Sequence, residues 1–357
     1  MVRCFLVLED GTALEGVSFG HESAVLGEMV FTTSMSGYQE SITDPAYKGQ
    51  IIVSAFPMVG CYGMNGRFEN SDSIHAAGLV VRKYCDEPSD MYGGETLGNC
   101  LRKNKVPGIS GIDTRDVVTA IRDNGSMSAA IVFDESDISS VKKKLKEKRK
   151  TENLVTLVSS KKIIRTDNKK KVTIGLIDCG TDRNLIRDLS DIYNVIVFPY
   201  DTKAKDIIDS NVKAVIISNG PGDPSHPEIT DTVTATVREI FSKLPIAGIS
   251  FGAQVIASAF GCRIIKLKFG HHGSNQPVRH EKRAYITYQN HMFTIDADSM
   301  NGTELIADHF NVNDGTVEGF THKELPIFGI QYYPIPRKYE QDSFFYKALE
   351  RIIGVKP

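Results

Sequence analysis

The 357-residue sequence lacks any apolar tract of 18 or more residues, the length that a membrane-spanning helix requires. Its N-terminus, MVRCFLVLEDGTALEG, turns polar after eight residues, too early for the apolar core of a secretory signal peptide. The formal net charge is only −2, so overall electrostatics provides no reason to bind nucleic acid or an anionic membrane. We therefore expect a cytoplasmic globular protein that binds neither.

Motifs for metals and nucleotides are also missing. The six cysteines are scattered without CxxC spacing, and we expect them to be reduced thiols. His271 and His272 are adjacent, so on one helix or strand their rings point in different directions, and no metal site is predicted. The phosphate-binding pattern GxxxxGK[ST] is absent, so we expect neither ATP nor another cofactor in this chain.

The length allows two domains, since single domains usually run about 100–200 residues. Two lysine-rich stretches, VKKKLKEKRK (141–150) and KKIIRTDNKKK (161–171), interrupt the composition between two better patterned regions. We interpret them as a solvated helix and linker; the alternative is a docking surface for an acidic partner. The prediction is a domain at 1–140, a linker at 141–171 and a second domain at 172–357.

The two sides of this linker differ in pattern. Before it, CFLVLEDGTALEGVSFG and MVFTTSM predict short strands with glycines near turns. After it, apolar runs such as VTIGLID, NVIVFPY and KAVIIS alternate with helical segments, which is typical of βαβ units with a parallel sheet. The predicted fold class is α/β, with a mixed β/α N-terminal domain and a C-terminal domain whose mostly parallel sheet is flanked by helices.

Two predicted strand ends carry unusual turns, and ligands of parallel sheets collect at such ends. KAVIIS runs into NGPGDP (219–224), where glycines permit close backbone approach and prolines stiffen the loop. PIAGIS runs into GISFGAQ (248–254), where Gly248 and Gly252 flank Ser250. Such a Gly-x-Ser-x-Gly turn between strand and helix can present a nucleophile beside a helix N-terminus.

Ordered motifs run along nearly the whole chain. The N-terminal part contains LVLEDGT, GEMVFTTSMSGYQE, ITDPAYKGQII and GISGIDTRDVVTAIRDNG, and the second part contains SNGPGDP, GISFGAQ, KFGHHGSNQPV and QNH. Together they resemble the small, glutaminase subunit of carbamoyl phosphate synthetase, whose C-terminal half is a class I (triad) glutamine amidotransferase.

The resemblance implies a subunit that releases ammonia from glutamine and passes it to a large subunit. That partner would use ATP and bicarbonate to make carbamoyl phosphate for pyrimidine or arginine synthesis. By resemblance, then, the chain belongs to a hetero-oligomer, and the nucleotide chemistry resides in the large subunit.

The three triad positions of the resembled family are all changed in this sequence. The family has a cysteine nucleophile at the elbow, and a histidine base and a glutamate in a Gly-His-Pro-Glu motif; Ser250, Tyr333 and Ile335 stand at those positions. A thiol with a pKa of about 8.5 is partly ionised near neutrality, whereas a serine hydroxyl needs a base. A phenol with a pKa of about 10 cannot accept a proton as imidazole does near pH 7. We predict that the triad is inactive.

Positions that contact glutamine in the family are only partly retained. The matching residues are Gly220, Gly222, Gln254, Asn290 and Phe293. Three others differ, because Ala46 replaces a serine, Phe251 a leucine and Met292 a glycine. A methionine side chain where glycine let the ligand approach would partly fill the pocket. We interpret Met292, Tyr333 and Ile335 as apolar packing of a former polar pocket, which avoids buried polar atoms without partners.

Three hypotheses about function remain. In the favoured one, the protein is the small subunit of a synthetase that runs on free ammonia, and it acts as a scaffold or regulatory subunit. In the second, an altered site still hydrolyses glutamine. In the third, Ser250 is the nucleophile of a serine hydrolase, with Asp298 and either His309 or His322 completing the triad.

Overall fold

The chain divides into two units in the computed structural model. Unit 1 comprises residues 1–150 and 268–273, and unit 2 comprises residues 151–267 and 274–357. The structure describes residues 2–89, 94–147, 152–166, 168–335 and 343–354. The first division falls inside the segment predicted as a linker, part of which lies outside the described residues. The sequence pattern did not indicate that 268–273 would group with unit 1.

Unit 1 is built on a barrel of short strands. Its strands are β1 Arg3–Leu8, β2 Ala13–Ser18, β3 Val25–Thr32, β4 Gln50–Ser54, β5 Met58–Val59, β6 Gly78–Val80, β7 Lys83–Tyr84, β8 Gly108–Ser110 and β9 Met127–Val132. The closed barrel has the order β1-β2-β8-β6-β4-β3-β9, and β5 pairs with β7 beside it. Its helices are α1 Tyr38–Ile42, α2 Leu97–Lys103, α3 Thr114–Asn124 and α4 Asp137–Lys146.

Alternation along β1 explains how unit 1 buries two cores. Cys4 and Leu6 point into the barrel, while Phe5 and Val7 point outward and pack against Val141 of α4. Successive side chains of a strand face opposite sides, so an apolar run covered on both sides supplies two layers. The lysines of α4 therefore belong to a helix whose apolar face is buried in unit 1.

Unit 2 is built on one large sheet. Its strands are β10 Ile164–Arg165, β11 Thr173–Asp178, β12 Asn194–Pro199, β13 Val215–Ile217, β14 Ile246–Ile249, β15 Ile264–His280, β16 Arg283–Ile295, β17 Leu305–Asn311, β18 Val317–His322 and β19 Ile327–Ile330. Its helices are α5 Arg183–Ile192, α6 Ala204–Asp209, α7 Pro227–Ile229, α8 Ala235–Ile240, α9 Phe251–Ala259 and α10 Phe344–Ile353. The strand order is β10-β12-β11-β13-β14-β19-β18-β16-β15-β17; residues 268–273 of β15 group with unit 1.

The centre of this sheet is parallel and buried on both faces. β12, β11, β13, β14 and β19 pair in parallel, and their apolar side chains contribute to a separate core on each face. Because helices cover both faces of the sheet, the sequences of these strands are continuous apolar runs. The predicted α/β fold class, with a mixed N-terminal domain, is confirmed. The parallel strands form the centre of the C-terminal sheet, whereas β10, β15, β16, β17 and β18 pair in antiparallel fashion around it. Among the described residues, no helix is long and apolar enough to cross a membrane.

Candidate functional site

Ser250 lies on the turn between β14 and α9, as the Gly-x-Ser-x-Gly pattern predicts. Its backbone has φ 51° and ψ −110°, a region that residues other than glycine seldom adopt. Its N–H donates a hydrogen bond to the carbonyl oxygen of Ile330 at 2.7 Å, which ties the turn to β19. The residue is only 1% exposed, and its side chain does not cap α9. The turn is strained, but its hydroxyl is enclosed.

The two glycines that flank Ser250 are required by close packing. A Cβ on Gly248 would lie 2.7 Å from both Cα and N of Ala253. A Cβ on Gly252 would lie 2.1 Å from the carbonyl oxygen of Ile217, which is far inside contact distance. Close approach of strand, turn and helix therefore explains both glycines without any reference to catalysis.

Tyr333 extends across the end of β14. Its hydroxyl accepts a hydrogen bond of 3.0 Å from Nδ2 of Asn219, which follows β13. In the sheet, β14 lies between β13 and β19, and neighbouring strands are about 4.8 Å apart. A side chain that joins the ends of β13 and β19 therefore spans the end of β14, where Ser250 lies. Tyr333 is 8% exposed, and its ring packs edge-on against Tyr288 with centroids 5.0 Å apart.

Gln254, a matching glutamine-pocket position, is engaged inside the protein. Its Nε2 donates to the carbonyl oxygen of Phe293 at 2.6 Å and to Oε1 of Gln331 at 3.0 Å. A side-chain amide has two N–H donors, so both are used. The carbonyl of Phe293 also lies 2.8 Å from Nδ1 of His291. This network leaves Gln254 no N–H for a ligand.

The other pocket positions of unit 2 are enclosed to different degrees. Phe251, Asn290 and Met292 are buried, and Phe293 is half-buried. Met292, where the resembled family has glycine, therefore places its side chain inside unit 2. Ile335 differs, because it is 37% exposed and does not belong to this buried group.

Ala46 belongs to unit 1, where it lies in a short 3₁₀ turn, Pro45–Tyr47. It is buried, and its N–H donates to Oδ1 of Asp44 at 2.9 Å. The aspartate thus caps the turn in the way that such side chains commonly do.

Gly220 and Gly222 have backbone reasons to be glycine. A Cβ on Gly220 would lie 2.4 Å from the carbonyl oxygen of Cys179, and Gly222 has φ +87°. An L side chain fits neither place without strain. The two glycines are thus accounted for by the turn after β13.

The histidines considered for a serine-hydrolase triad are engaged elsewhere. Nδ1 of His309 lies 2.6 Å from Oδ1 of Asp308, and its ring stacks on His280 with centroids 4.0 Å apart. Nδ1 of His322 accepts the backbone N–H groups of Glu324 and Leu325. Within the described part of the chain, neither imidazole forms a hydrogen bond with Ser250.

The cluster of His280, Asp308 and His309 has atoms of ligand type within 4.8 Å of one another, although the sequence analysis did not select it. The two imidazole planes differ by only 3°. Metal ions bind imidazole nitrogens close to the ring plane, and two parallel stacked rings cannot direct their lone pairs at one ion. We therefore interpret the cluster as a hydrogen-bonded stack.

Neither cysteine described in unit 2 offers a reactive thiol. Cys179 follows β11 directly and is fully buried, and burial, with a smaller effect of the Asp178 carboxylate, raises the pKa of its thiol far above the ordinary value. Burial also raises the pKa of Cys262, which lies beyond the far end of α9. Only the thiolate is a good nucleophile, and both side chains are buried, so neither thiol is both ionised and accessible near neutral pH.

Sequence reasoning missed Asn219, the partner of Tyr333. Its side chain is fully buried, and among the described residues its Oδ1 has no hydrogen-bond partner. An asparagine in NGPGDP is typical of a turn. The only signal in the sequence that could have indicated a buried role for Asn219 was its position directly after a predicted buried strand.

Two family models match the chain. The model for the carbamoyl-phosphate synthase small chain, CPSase domain, matches residues 6–131, and the model for glutamine amidotransferase class-I matches residues 175–348. The fold and the elbow thus define a protein with a class I glutamine amidotransferase domain preceded by a second domain.

Curated relatives give the same result over the full length. The chain is 38% identical to a carbamoyl phosphate synthase small chain of Caldanaerobacter subterraneus, covering 99% of this chain and 98% of the relative. It is 40% identical to that of Archaeoglobus fulgidus, covering 97% of each, and 41% identical to that of Methanopyrus kandleri, covering 93% and 94%. The chain belongs to the carbamoyl phosphate synthase small chain family.

Proposed function

We propose that this chain is the small subunit of a cytoplasmic carbamoyl phosphate synthase that uses ammonia, and that its amidotransferase domain no longer hydrolyses glutamine. Its role in that complex is that of a scaffold or regulatory subunit. The large subunit binds ATP and bicarbonate and carries out the synthesis. Family membership supports the assignment to the synthase, and the altered site supports the loss of glutaminase chemistry.

The contact between Tyr333 and Asn219 is the observation that carries this proposal. A nucleophilic Ser250 would need a base within hydrogen-bond reach, about 2.6–3.2 Å, to accept its proton. The side chain that spans its turn is instead a phenol, whose hydroxyl accepts a hydrogen bond from Asn219. Such a group keeps its proton near pH 7. The place of the base is therefore occupied by a group that cannot act as one.

The pocket supports the same proposal. Glutamine would need donors and open space, but both N–H groups of Gln254 are bonded inside the protein. Met292 fills space where the resembled family has glycine. A site whose polar groups are already paired provides little free energy for a polar ligand.

The test is carbamoyl phosphate formation by this chain co-expressed with its own large subunit. Ammonium or glutamine is supplied as the nitrogen donor, and glutamate release is followed in parallel. We expect the two chains to co-purify, product to form with ammonium, and glutamine to yield neither product nor glutamate above the background of the large subunit alone.

Two variants separate the alternatives. Ser250→Ala should leave the ammonium-dependent rate unchanged, as should Ser258→Ala, a control in the helix that follows Ser250. Glutamate release that Ser250→Ala abolishes and Ser258→Ala preserves would show an altered but active glutaminase. Labelling of Ser250 by a serine-directed fluorophosphonate would show a hydrolase. Failure to co-purify with the large subunit would contradict the assignment to the synthase.

A further inference from the structure

Two of the six cysteines differ from the rest in exposure. Cys4, Cys100, Cys179 and Cys262 are buried, whereas Cys61 and Cys85 are partly exposed. Both belong to unit 1, and they lie just beyond the paired strands β5 and β7. A reagent in solution can therefore reach this pair more easily than the other four thiols.

Strand pairing brings Cys85 beside Gly60, the residue directly before Cys61. Met58 pairs with Lys83 and Val59 with Tyr84 in parallel register, so the next residues along the two chains are Gly60 and Cys85. The N–H of Cys85 donates to the carbonyl oxygen of Val59 at 2.9 Å. With strands about 4.8 Å apart and a rise of about 3.3 Å per residue, Cys61 lies roughly 6 Å from Cys85 between Cα atoms, which is within the range that a disulfide spans.

Gly60 allows the two chain segments to approach each other still more closely. It has φ +103°, and a Cβ there would lie 2.7 Å from the carbonyl oxygen of Cys85. The following residue, Cys61, accepts the N–H of Ser89 at its carbonyl oxygen, 2.8 Å away. Hydrogen bonds on both sides of the close approach thus hold the two segments together.

The two thiols also influence each other. Burial and, after it, the neighbouring Cys85 thiol raise the pKa of Cys61. The Cys85 thiol donates to the carbonyl oxygen of Glu87 at 3.4 Å. Cys61 lines a cavity of about 150 Å³ in unit 1, together with Tyr38 and Tyr62. The two thiols are therefore near neighbours, and both are partly exposed to a small reagent.

We propose that Cys61 and Cys85 form a redox-active dithiol that closes to a disulfide on reaction with a low-molecular-weight disulfide. One thiolate attacks a sulfur of the small disulfide, which forms a mixed disulfide and releases one small thiol after protonation. The second cysteine, as thiolate, then attacks the protein sulfur of the mixed disulfide and releases the second small thiol. The two cysteines are oxidised, and the small disulfide is reduced to two thiols.

Closure of this disulfide would act on α1 through Tyr62, the residue after Cys61. The hydroxyl of Tyr62 accepts the N–H groups of Gly37 and Tyr38 at 2.8 and 3.3 Å, at the start of α1. The rings of Tyr38 and Tyr62 stack with centroids 4.3 Å apart. A covalent link at Cys61 therefore restrains the segment that holds this helix start. This inference is independent of the function proposed above.

The experiment treats the reduced, full-length protein with oxidised glutathione and maps the products by peptide mass spectrometry. We expect one cross-linked pair of peptides containing Cys61 and Cys85, lighter by two hydrogen atoms, and reversal by dithiothreitol. The melting temperature of the oxidised protein should rise by a few degrees, since a cross-link restricts the unfolded chain. Cys85→Ser should stop the reaction at a glutathione adduct on Cys61.

The buried Cys100 provides the control, because Cys100→Ser should leave the cross-link and the shift in melting temperature unchanged. The same reaction in denaturant should lose its preference for this pair. Stable glutathione adducts on Cys61 and Cys85 of the folded protein without a cross-link would overturn the proposal. So would a folded protein in which neither thiol reacts faster than Cys100.

Discussion

The hydroxyl of Tyr333 accepts a hydrogen bond of 3.0 Å from Nδ2 of Asn219, a residue 114 positions earlier in the sequence. This contact joins the ends of β19 and β13 across β14, the strand that leads into Ser250. One tyrosine thereby reaches across the end of the strand that carries Ser250, which is itself only 1% exposed.

Tyr333→Phe should destabilise the protein by about 1–3 kcal/mol, because it leaves the buried Nδ2 of Asn219 without an acceptor. Urea denaturation followed by circular dichroism measures this loss. Tyr285→Phe is the matched control, since Tyr285 is exposed, and should change stability by less than about 0.5 kcal/mol. Equal stability of the two variants would show that the contact with Asn219 contributes nothing.

Ser250→Cys introduces a thiol that tests whether Tyr333 encloses the elbow. Ser250 is 1% exposed, so this thiol should resist iodoacetamide while Cys61 and Cys85 react. Adding Tyr333→Ala removes the covering side chain and should make position 250 react many times faster. Peptide mass spectrometry gives the rate at each site. Adding Tyr285→Ala instead should leave position 250 protected; rapid labelling in that variant or in Ser250→Cys alone would contradict the enclosure.

Gly252→Ala should destabilise unit 2 by at least ~3 kcal/mol, because the new Cβ would meet the backbone oxygen of Ile217 at 2.1 Å. Backbone of a central strand cannot move aside as a flexible side chain can. Gly66→Ala is the control: its nearest contact would be a side-chain oxygen of Glu69 at 3.8 Å, and we expect a change within about 0.5 kcal/mol. Thermal denaturation of both variants makes the comparison. A fully stable Gly252→Ala protein would show that strand and helix can separate.

His75 should make the stability of the protein depend on pH between about 6.5 and 4. Burial, with a smaller effect of Lys48, lowers the pKa of His75 to about 4. The unfolded chain binds the proton more readily, so stability is complete above pH 6.5 and falls as the pH falls toward 4, by up to about 2 kcal/mol. Denaturation at several pH values should show a shallower dependence in His75→Gln. An unchanged dependence would mean that His75 binds its proton equally readily in the folded and unfolded chain, so that burial does not lower its pKa.

Local pattern was sufficient for much of the fold and part of the site. Apolar runs alternating with helical segments predicted the parallel sheet, because each βαβ unit is encoded by neighbouring residues. The glycines around Ser250 predicted the strained turn for the same reason. The grouping of residues 268–273 with unit 1 was not predicted, since periodicity in a strand does not indicate which unit it joins.

The sequence by itself determined the family and the α/β fold class. These properties follow from residue identity and local spacing. Only the tertiary structure decided that Tyr333 reaches Asn219, that Ser250 is buried and that Gln254 is bonded internally. Such contacts join residues far apart in the chain, so they depend on the order and register of the strands. Backbone hydrogen bonds and the packing of both sheet faces together establish that order and register.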